Sequence, residues 1–270
     1  DKDLAVDQEG GLLRGYQLTY IPESLKVLGR QCGYIFYVPA AYTSKIDPTT
    51  GFVAIFNYKG MTDKDFVTSF DSIKYDDERG LFAFEFDYEN FVTHKVEMAR
   101  NKWTVYTYGE RIKRKFKNGL WDTAEKVDLT YQMRSILEKY EIEYNKGQDI
   151  LEQIEELDEK AQNGICKEIK YLVKDIVQMR NSLPDNAAED YDAIISPVIN
   201  NNGEFFDSTR GDEDKPLDAD ANGAYCIALK GLYEVMQIKK NWNDETEFPR
   251  KELKIRHQDW FDFIQNKRYL

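Results

Sequence analysis

The stretch Phe82-Ala-Phe-Glu-Phe-Asp-Tyr88 indicates the fold of this chain most directly, because an aromatic residue occupies every second position. A period of two is typical of a half-buried β-strand, with one face toward the core and the other toward solvent. Residues 103–108 form a second strand candidate, which Gly109 ends. A run over residues 33–38 predicts another strand, and Asp47-Pro-Thr-Thr-Gly51 predicts a turn.

Elsewhere the apolar spacing changes to the 3.6-residue period of helices. It predicts one helix over residues 129–144 and a longer one over residues 149–180, broken near Asn163-Gly164. A further helix begins at Asp218, and the chain ends in a short amphipathic stretch around Trp260. The sequence therefore mixes strands and helices.

The composition describes a chain of 270 residues, 41% of them hydrophobic, which is long enough for two domains. No apolar run approaches the roughly 18 to 20 residues that cross a bilayer, so no membrane association is expected. The formal net charge of −12 argues against DNA binding through bulk charge, so a DNA contact requires a local basic patch. The first residue is not a methionine, and we expect the natural chain to begin further upstream.

The side chains available for chemistry favour carboxylates. The three cysteines lie far apart without a CxxC pair, which argues against a disulfide scaffold or zinc site and favours a reducing cytoplasm. The chain has only two histidines but 49 acidic residues, so we expect chemistry based on carboxylates and a metal ion more than chemistry based on imidazole.

The string Asp218-Ala-Asp-Ala-Asn-Gly-Ala-Tyr225 has three interpretations. As a calcium loop it fails at Leu229, which stands where an EF-hand needs a bidentate glutamate. Asp220 could instead be an N-cap that accepts hydrogen bonds from the free N–H groups of the following helix. It could also be a metal ligand held at the start of that helix. Local residues do not separate the last two interpretations.

Arg180 follows an apolar helical stripe whose last members are Ile176 and Val177. Continuing the helical spacing places its guanidinium on or beside the buried face. One interpretation is a stem that lies along apolar surface with its head in water or paired with an acid. The other is an arginine that stabilises the negative charge developing on a phosphodiester during cleavage.

A basic run follows the strand candidate that ends at Tyr108. In an acidic chain it is the obvious place for a DNA backbone, although charge runs are more often solvated loops. Its members are Arg111, Lys113, Arg114, Lys115 and Lys117.

Six longer strings stand out in order along the chain. They are GYQLT (15–19), FYVPAAYTSKIDPTTGF (36–52), QMRNS (178–182), SPV (196–198), GEFFDS (203–208) and DADANGAYCIALKGL (218–232). In sequence, order and spacing they resemble the type V-A CRISPR effector endonucleases. The resemblance covers essentially the whole chain, and strings of this length are specific.

The resemblance implies an α/β fold of RNase H-like RuvC segments with an inserted, mixed α+β Nuc domain. It assigns residues 1–56 to RuvC downstream of the second RuvC motif, residues 57–217 to Nuc, and residues 218–270 to the third RuvC motif and C-terminal helices. Asp220 is then the last of three RuvC carboxylates. The other two, an Asp and a Glu, lie upstream of this chain. Together they hold magnesium, because two hard cations clamp the attacking and leaving oxygens.

The resemblance also implies roles within Nuc. Arg180 aligns with an arginine that the family needs for efficient cutting. Ser182 and Asp192 align with polar neighbours of that site, with Asp190 as a substitute for Asp192. Nuc is then the element that guides a DNA strand into RuvC, and the basic run is a candidate strand contact.

For the complete effector, the resemblance implies a defence protein of the bacterial or archaeal cytoplasm. Its guide crRNA pairs with the target DNA, and RuvC uses magnesium to cut both strands and unguided single-stranded DNA. The partners are therefore crRNA, target DNA and the N-terminal part of the same protein. Because that part carries two of the three carboxylates, the isolated chain is expected to be inactive. The alternative is a catalytically silent DNA-binding or scaffolding module that needs the missing part.

Overall fold

The structure is a computed structural model of the chain. It describes residues 38, 40, 42–54, 56, 58, 60–91, 100–113, 116–117, 120–121, 125–145, 147–183, 191–211, 215–241 and 257–266. Contacts divide the chain into two compact units, Asp1–Pro39 with Glu234–Lys254 and Ala40–Tyr233 with Ile255–Leu270. Nearly all of the described residues belong to the second unit.

A three-stranded antiparallel sheet, ordered β1-β2-β3, carries the alternating aromatic residues. Its strands are β1 (Ser72–Asp76), β2 (Leu81–Asp87) and β3 (Lys102–Tyr106). Phe82, Phe84 and Phe86 are at most 1% exposed, whereas Glu85 between them is exposed. The strand predicted from the period of two is therefore confirmed, and its apolar face forms part of the main core.

One described helix precedes this sheet in the chain, and the next three follow it. They are α1 (Asp63–Thr68), α2 (Leu129–Lys139), α3 (Ile150–Glu156) and α4 (Glu159–Ile176). The helix predicted over residues 129–144 ends at Lys139, because Glu141 has a φ of +57°, outside the right-handed helical region. The apolar faces of α2 and α4 are buried in the same core as the sheet.

The helix break predicted near Asn163-Gly164 is wrong. The interruption lies between α3 and α4, where the Asp158 carboxylate caps α4 by accepting hydrogen bonds from the N–H groups of Lys160 (2.9 Å) and Ala161 (3.0 Å). Gly164 stays within α4, and a Cβ there would stand 2.5 Å from the Tyr140 hydroxyl. This glycine therefore serves close packing, not helix termination.

Seven further strands complete the sheets of the second unit. They are β4 (Glu110–Lys113), β5 (Phe116–Lys117), β6 (Leu120–Trp121), β7 (Glu125–Asp128), β8 (Arg180–Ser182), β9 (Asp192–Ile199) and β10 (Phe205–Asp207). β4 pairs with β7 and β5 with β6, while β8 to β10 form an antiparallel sheet ordered β10-β9-β8. Its register sets Ser182 opposite Asp192.

The last helices, α5 (Ala219–Asn241) and α6 (His257–Asn266), contribute to a second core cluster with Ile46 and Val53. The predicted turn at Asp47–Gly51 is confirmed, since the Gly51 N–H donates to the Asp47 carbonyl at 2.9 Å. Gly51 has a φ of +74°, and a Cβ there would stand 2.9 Å from the backbone of α6. Glycine therefore permits both the turn and the close approach of α6.

The described strands and helices form a mixed α+β structure with small antiparallel sheets, as expected for the inserted domain. The strand predicted over residues 33–38 lies outside the described residues except for Val38, and the string GYQLT lies wholly outside them. The RNase H-like arrangement of the flanking segments stays a prediction. None of the described helices is long and apolar enough to cross a membrane.

Candidate active site

The start of α5 separates the two local interpretations of Asp220. Asp218 is the residue that caps the helix, because its Oδ1 accepts a hydrogen bond from the Ala221 N–H at 2.6 Å. Asp220 lies in the first turn, and its side chain is 80% exposed. The N-cap role predicted as an alternative for Asp220 therefore falls to Asp218, and the Asp220 carboxylate is available for another purpose.

The calcium-loop interpretation of the same string is wrong. α5 begins at Ala219, inside the would-be loop. Asn222 is fully buried and uses its Nδ2 to donate to the Ile46 carbonyl at 3.0 Å. Leu229, at the place of the bidentate glutamate, is 7% exposed and belongs to the second core cluster. The string therefore forms helix where an EF-hand needs a loop.

Arg180 lies on a strand, which corrects the expectation that it sits at a helix end. α4 ends at Ile176, and a short turn leads into β8. Met179, which is 2% exposed, points into the core in place of Arg180. Because neighbouring residues of a strand point to opposite faces, Arg180 faces outward, and its side chain is 45% exposed.

The structure brings together the residues that the sequence suggested for the site. Arg180 meets Asp192 through two hydrogen bonds, Nε to Oδ1 at 3.0 Å and Nη2 to Oδ2 at 3.2 Å. Its Nη1 lies 3.1 Å from Oδ1 of Asp220. Ser182 is the residue paired with Asp192 in the β8–β9 register, while Asp190 lies outside the described residues. Two carboxylates from other parts of the chain therefore meet the guanidinium of Arg180.

The partial exposure of this cluster determines what its ion pairs contribute. Exposed pairs are worth about 0 to 1 kcal/mol each, so they add little to folding stability. The two-point contact with Asp192 instead fixes the plane and direction of the Arg180 guanidinium, as a carboxylate does when it meets both arms of the fork. The cluster is therefore suited to orientation.

Two carboxylates and one guanidinium leave the cluster with a net negative charge, which attracts cations. The exposed Asp220 carboxylate is an oxygen ligand of the kind that magnesium prefers. Within the described ranges, however, no group of three acidic, histidine or cysteine side chains could hold a metal ion. Among the described residues, Asp220 therefore fits the position of a single magnesium ligand.

A family model described as NUC, a nuclease domain, matches residues 46–210, which is more than half of the chain. The chain belongs to this nuclease-domain family. Membership indicates hydrolytic cleavage of nucleic acid. Arg180, Ser182 and Asp192 lie inside the matched range, whereas Asp220 lies just beyond its end. The guanidinium of the nuclease domain thus reaches a carboxylate that the matched range does not include.

Arg111 is a core residue of the nuclease domain, which corrects its prediction as a DNA contact. It is 1% exposed, and its guanidinium donates to five backbone carbonyls. These belong to Tyr108, Glu110, Ile176, Gln178 and Ile195. Burial lowers the pKa of Arg111 to about 10, so the group stays charged at neutral pH. Its donors are engaged with the protein and are not available to a phosphate.

The remaining members of the basic run are only partly described. The Lys113 ammonium lies 2.6 Å from the Asp175 carboxylate, so its charge is already paired. Lys117 lies on β5, whose side chains the structure does not describe, and Arg114 and Lys115 lie outside the described residues. Their contact with DNA stays a prediction.

Asn181 is a residue of the site region that sequence reasoning missed. It is 2% exposed, and its carboxamide accepts from the Ile112 N–H at 2.7 Å and donates to the Glu110 carbonyl at 3.1 Å. An asparagine is unfavourable within a strand unless its amide is used. The sequence, however, predicted a helix that ends near Arg180, where an asparagine is common, so this conflict became visible only when the structure placed Asn181 on a strand.

Replacing Arg111 with methionine is expected to lower the free energy of unfolding by at least about 3 kcal/mol. Methionine fills similar space but leaves buried carbonyls without a donor, and each unsatisfied acceptor costs about 1 to 3 kcal/mol. Urea unfolding measures the loss. The matched control is Arg79→Met, since the Arg79 side chain is 33% exposed and pairs with Asp76 at the surface. That change is expected to cost less than about 1 kcal/mol, and equal losses would contradict the role of Arg111 in the core.

Proposed function

We propose that this chain is the C-terminal nuclease part of a type V-A CRISPR effector, which cuts double-stranded DNA under the direction of a guide RNA. Two findings support the proposal, the NUC domain, which occurs in effectors of this type, and the six strings that resemble the family. The observation that carries it is the bridge that Arg180 makes between Asp192 and Asp220.

This bridge joins strings that resemble two different parts of such an effector. Arg180 belongs to QMRNS in Nuc, and Asp220 belongs to DADANG in the third RuvC motif. Their side chains meet at 3.1 Å. A phosphodiester brought to Asp220 would therefore come within reach of the Arg180 guanidinium, which is the arrangement needed to stabilise charge developing on that phosphate.

The three nitrogen atoms of the Arg180 guanidinium have different partners. Nε and Nη2 are engaged by Asp192, while Nη1 contacts Asp220. Nη1 is thus the group whose partner can change from Asp220 to a phosphate oxygen while Asp192 preserves the orientation of the guanidinium. Ser182 lies opposite Asp192 in the register and is a polar neighbour of this pair.

Magnesium, when bound, supplies charge neutralisation on the scissile phosphate and a nucleophilic water. Asp220 would contribute one ligand oxygen. An Asp and a Glu from the first two RuvC motifs would contribute the other carboxylates. In the complete effector RuvC cuts both strands of the target and unguided single-stranded DNA.

The nuclease domain guides a DNA strand toward this site. Arg114, Lys115 and Lys117 are the proposed contacts to the strand, now without Arg111. Lys113 would join them by exchanging the Asp175 carboxylate for a phosphate. Sequence specificity comes from pairing of the guide crRNA with the target, so these contacts need only follow the backbone. The N-terminal part of the same protein is the remaining partner, and the complete effector acts in the cytoplasm of a bacterium or archaeon.

A second candidate function is a catalytically silent DNA-binding or scaffolding module. It is favoured by one observation, that the Asp220 carboxylate, the proposed metal ligand, is already paired with the Arg180 guanidinium at 3.1 Å. The two functions are compatible, because the complete effector can be an enzyme while the isolated chain is not.

The chain Asp1–Leu270 alone is expected not to cut DNA in the presence of magnesium, whereas the complete effector with guide and target cuts both strands. One of three carboxylates leaves the metal pair without enough ligands. Incubation of each protein with labelled double-stranded and single-stranded DNA, resolved on denaturing gels, measures the difference. Degradation by the isolated chain would mean that the nuclease domain has its own active site, and a complete effector that leaves its target intact would defeat the proposed function.

A further inference from the structure

Arg180 stands on β8, a strand of three residues that, among the described residues, has a strand neighbour on one side only. β9 binds it through the sheet. Such a short strand holds few ladder hydrogen bonds, so its position depends on what supports its other side. Side chains provide that support.

Asn181 supplies the first support. Its carboxamide binds the backbone of β4 at two points, accepting from the Ile112 N–H at 2.7 Å and donating to the Glu110 carbonyl at 3.1 Å. The Asn181 amide thus offers β4 the acceptor and the donor that the backbone of a neighbouring strand would otherwise provide. Because Asn181 points inward and Arg180 outward, the same residue pair docks the strand and presents the guanidinium.

Arg111 supplies the second support, here from a side chain of β4 to the backbone that precedes β8. From β4 it donates through Nε to the Gln178 carbonyl at 2.9 Å and through Nη2 to the Ile176 carbonyl at 3.1 Å. The first carbonyl lies in the turn that joins α4 to β8, and the second belongs to the last residue of α4. The same Nη2 reaches the Ile195 carbonyl of β9 at 3.3 Å. One buried guanidinium therefore ties the turn before Arg180 to the strand that carries Asp192.

We infer that Asn181 and Arg111 are positioning residues for Arg180, fixing β8 and its preceding turn so that the guanidinium meets Asp192 and Asp220. The inference rests on the proposed role of Arg180 in cutting. It assigns Arg111, the first residue of the basic run, to positioning within the protein instead of DNA binding. A misplacement of about 1 Å in a group that contacts the reacting phosphate can slow a reaction by about a hundredfold, so partial loss of support has a measurable effect.

The test uses the complete effector and four variants, namely Asn181→Ala, Arg180→Ala, the double variant and Gln162→Ala. Asn181→Ala is expected to slow target-strand cutting by about tenfold. In the Arg180→Ala background it is expected to add less than about twofold, because the group that it positions is already gone. Guided DNA binding and rates for the two strands are measured at a temperature at which melting curves show every variant folded.

Gln162 is the matched control. It is also a buried carboxamide, 8% exposed, and it donates to the Ile154 carbonyl between α3 and α4. Its replacement is expected to lower the melting temperature without a strand-selective change in rate. If Asn181→Ala does not fold, Asn181→Gln carries the test, since it keeps both the acceptor for Ile112 and the donor to Glu110 but moves them by one methylene group relative to the β8 backbone.

Equal slowing of both strands by the Asn181 variant, or a slowing that multiplies with that of Arg180→Ala, would overturn the inference and leave Asn181 a stability residue. Normal cutting by the Asn181 variant would also overturn it. These outcomes are distinct from failure of the proposed function, which would appear as normal cutting by Arg180→Ala itself. Slow cutting by Arg180→Ala with normal cutting by Asn181→Ala defeats the positioning role alone.

Discussion

Asp220→Ala in the complete effector is expected to abolish cutting of both DNA strands while guided DNA binding stays near normal. Under the proposed function the carboxylate is a metal ligand, whereas affinity comes from base pairing and backbone contacts elsewhere. Loss of metal-assisted charge stabilisation removes several kcal/mol, which corresponds to a rate loss on the order of a thousandfold or more. Cleavage of strand-specific labels, with binding measured in parallel by filter retention, checks both halves of this expectation.

Two neighbouring variants separate the metal ligand from the helix cap. Asp220→Asn keeps the shape and an acceptor for Arg180 but removes the charge that a hard cation prefers, so cutting is also expected to be lost. Asp218→Ala removes the cap that accepts from the Ala221 N–H, which costs about 1 kcal/mol of stability while cutting persists. Normal cutting of either strand by the Asp220→Ala variant would show that Asp220 is not the shared ligand.

Arg180→Ala is expected to slow cutting of the target strand by roughly a hundredfold and of the non-target strand by less. Loss of one preorganised donor to a developing charge costs about 3 kcal/mol in comparable sites. Under the proposed function, the target strand has to pass Nuc to reach RuvC. Folding is expected to change by no more than about 1 kcal/mol, because the side chain is 45% exposed and its ion pairs are screened by solvent. Strand-resolved cleavage rates and a thermal melt measure the two effects.

Arg79→Ala provides a matched control for that variant. The Arg79 side chain is 33% exposed and its partner Asp76 is 19% exposed, close to the 45% and 20% of Arg180 and Asp192. A similar surface ion pair is therefore removed from the turn between β1 and β2, and cutting is expected to be unchanged. A large drop in melting temperature for Arg180→Ala, with both strands slowed equally, would assign Arg180 to structure.

Sequence patterns carried by several residues predicted the fold well, and single positions at the ends of elements did not. The period of two over Phe82–Tyr88 gave a strand with its aromatic face buried. The helical spacing before Arg180, in contrast, was extended past Ile176, where α4 ends. A stripe reports which face of an element is buried, but the end of a helix depends on a few local hydrogen bonds that periodicity does not show.

The residues of the candidate site could also be predicted from the sequence. Similarity to a known family pointed to Arg180, Ser182, Asp192 and Asp220, and the structure places the first three within one β8–β9 pairing and brings Asp220 to the Arg180 guanidinium. Their roles in cutting and the magnesium site remain predictions. Carboxylates and an arginine in specific strings identify a type of chemistry without giving the distances on which it depends.

The sequence by itself determined the mixed α+β character, the strand around Phe84 and the family resemblance, because each follows from local periodicity or from long strings. Only the tertiary structure decided that Asp218 takes the cap and leaves Asp220 exposed, and that Arg111 lies in the core although it belongs to a basic run. The physical reason is that a charged group is stabilised by whichever partners surround it in space. For Arg111 those partners are carbonyls from segments more than 60 residues away as well as from its own turn, and a local pattern carries no information about them.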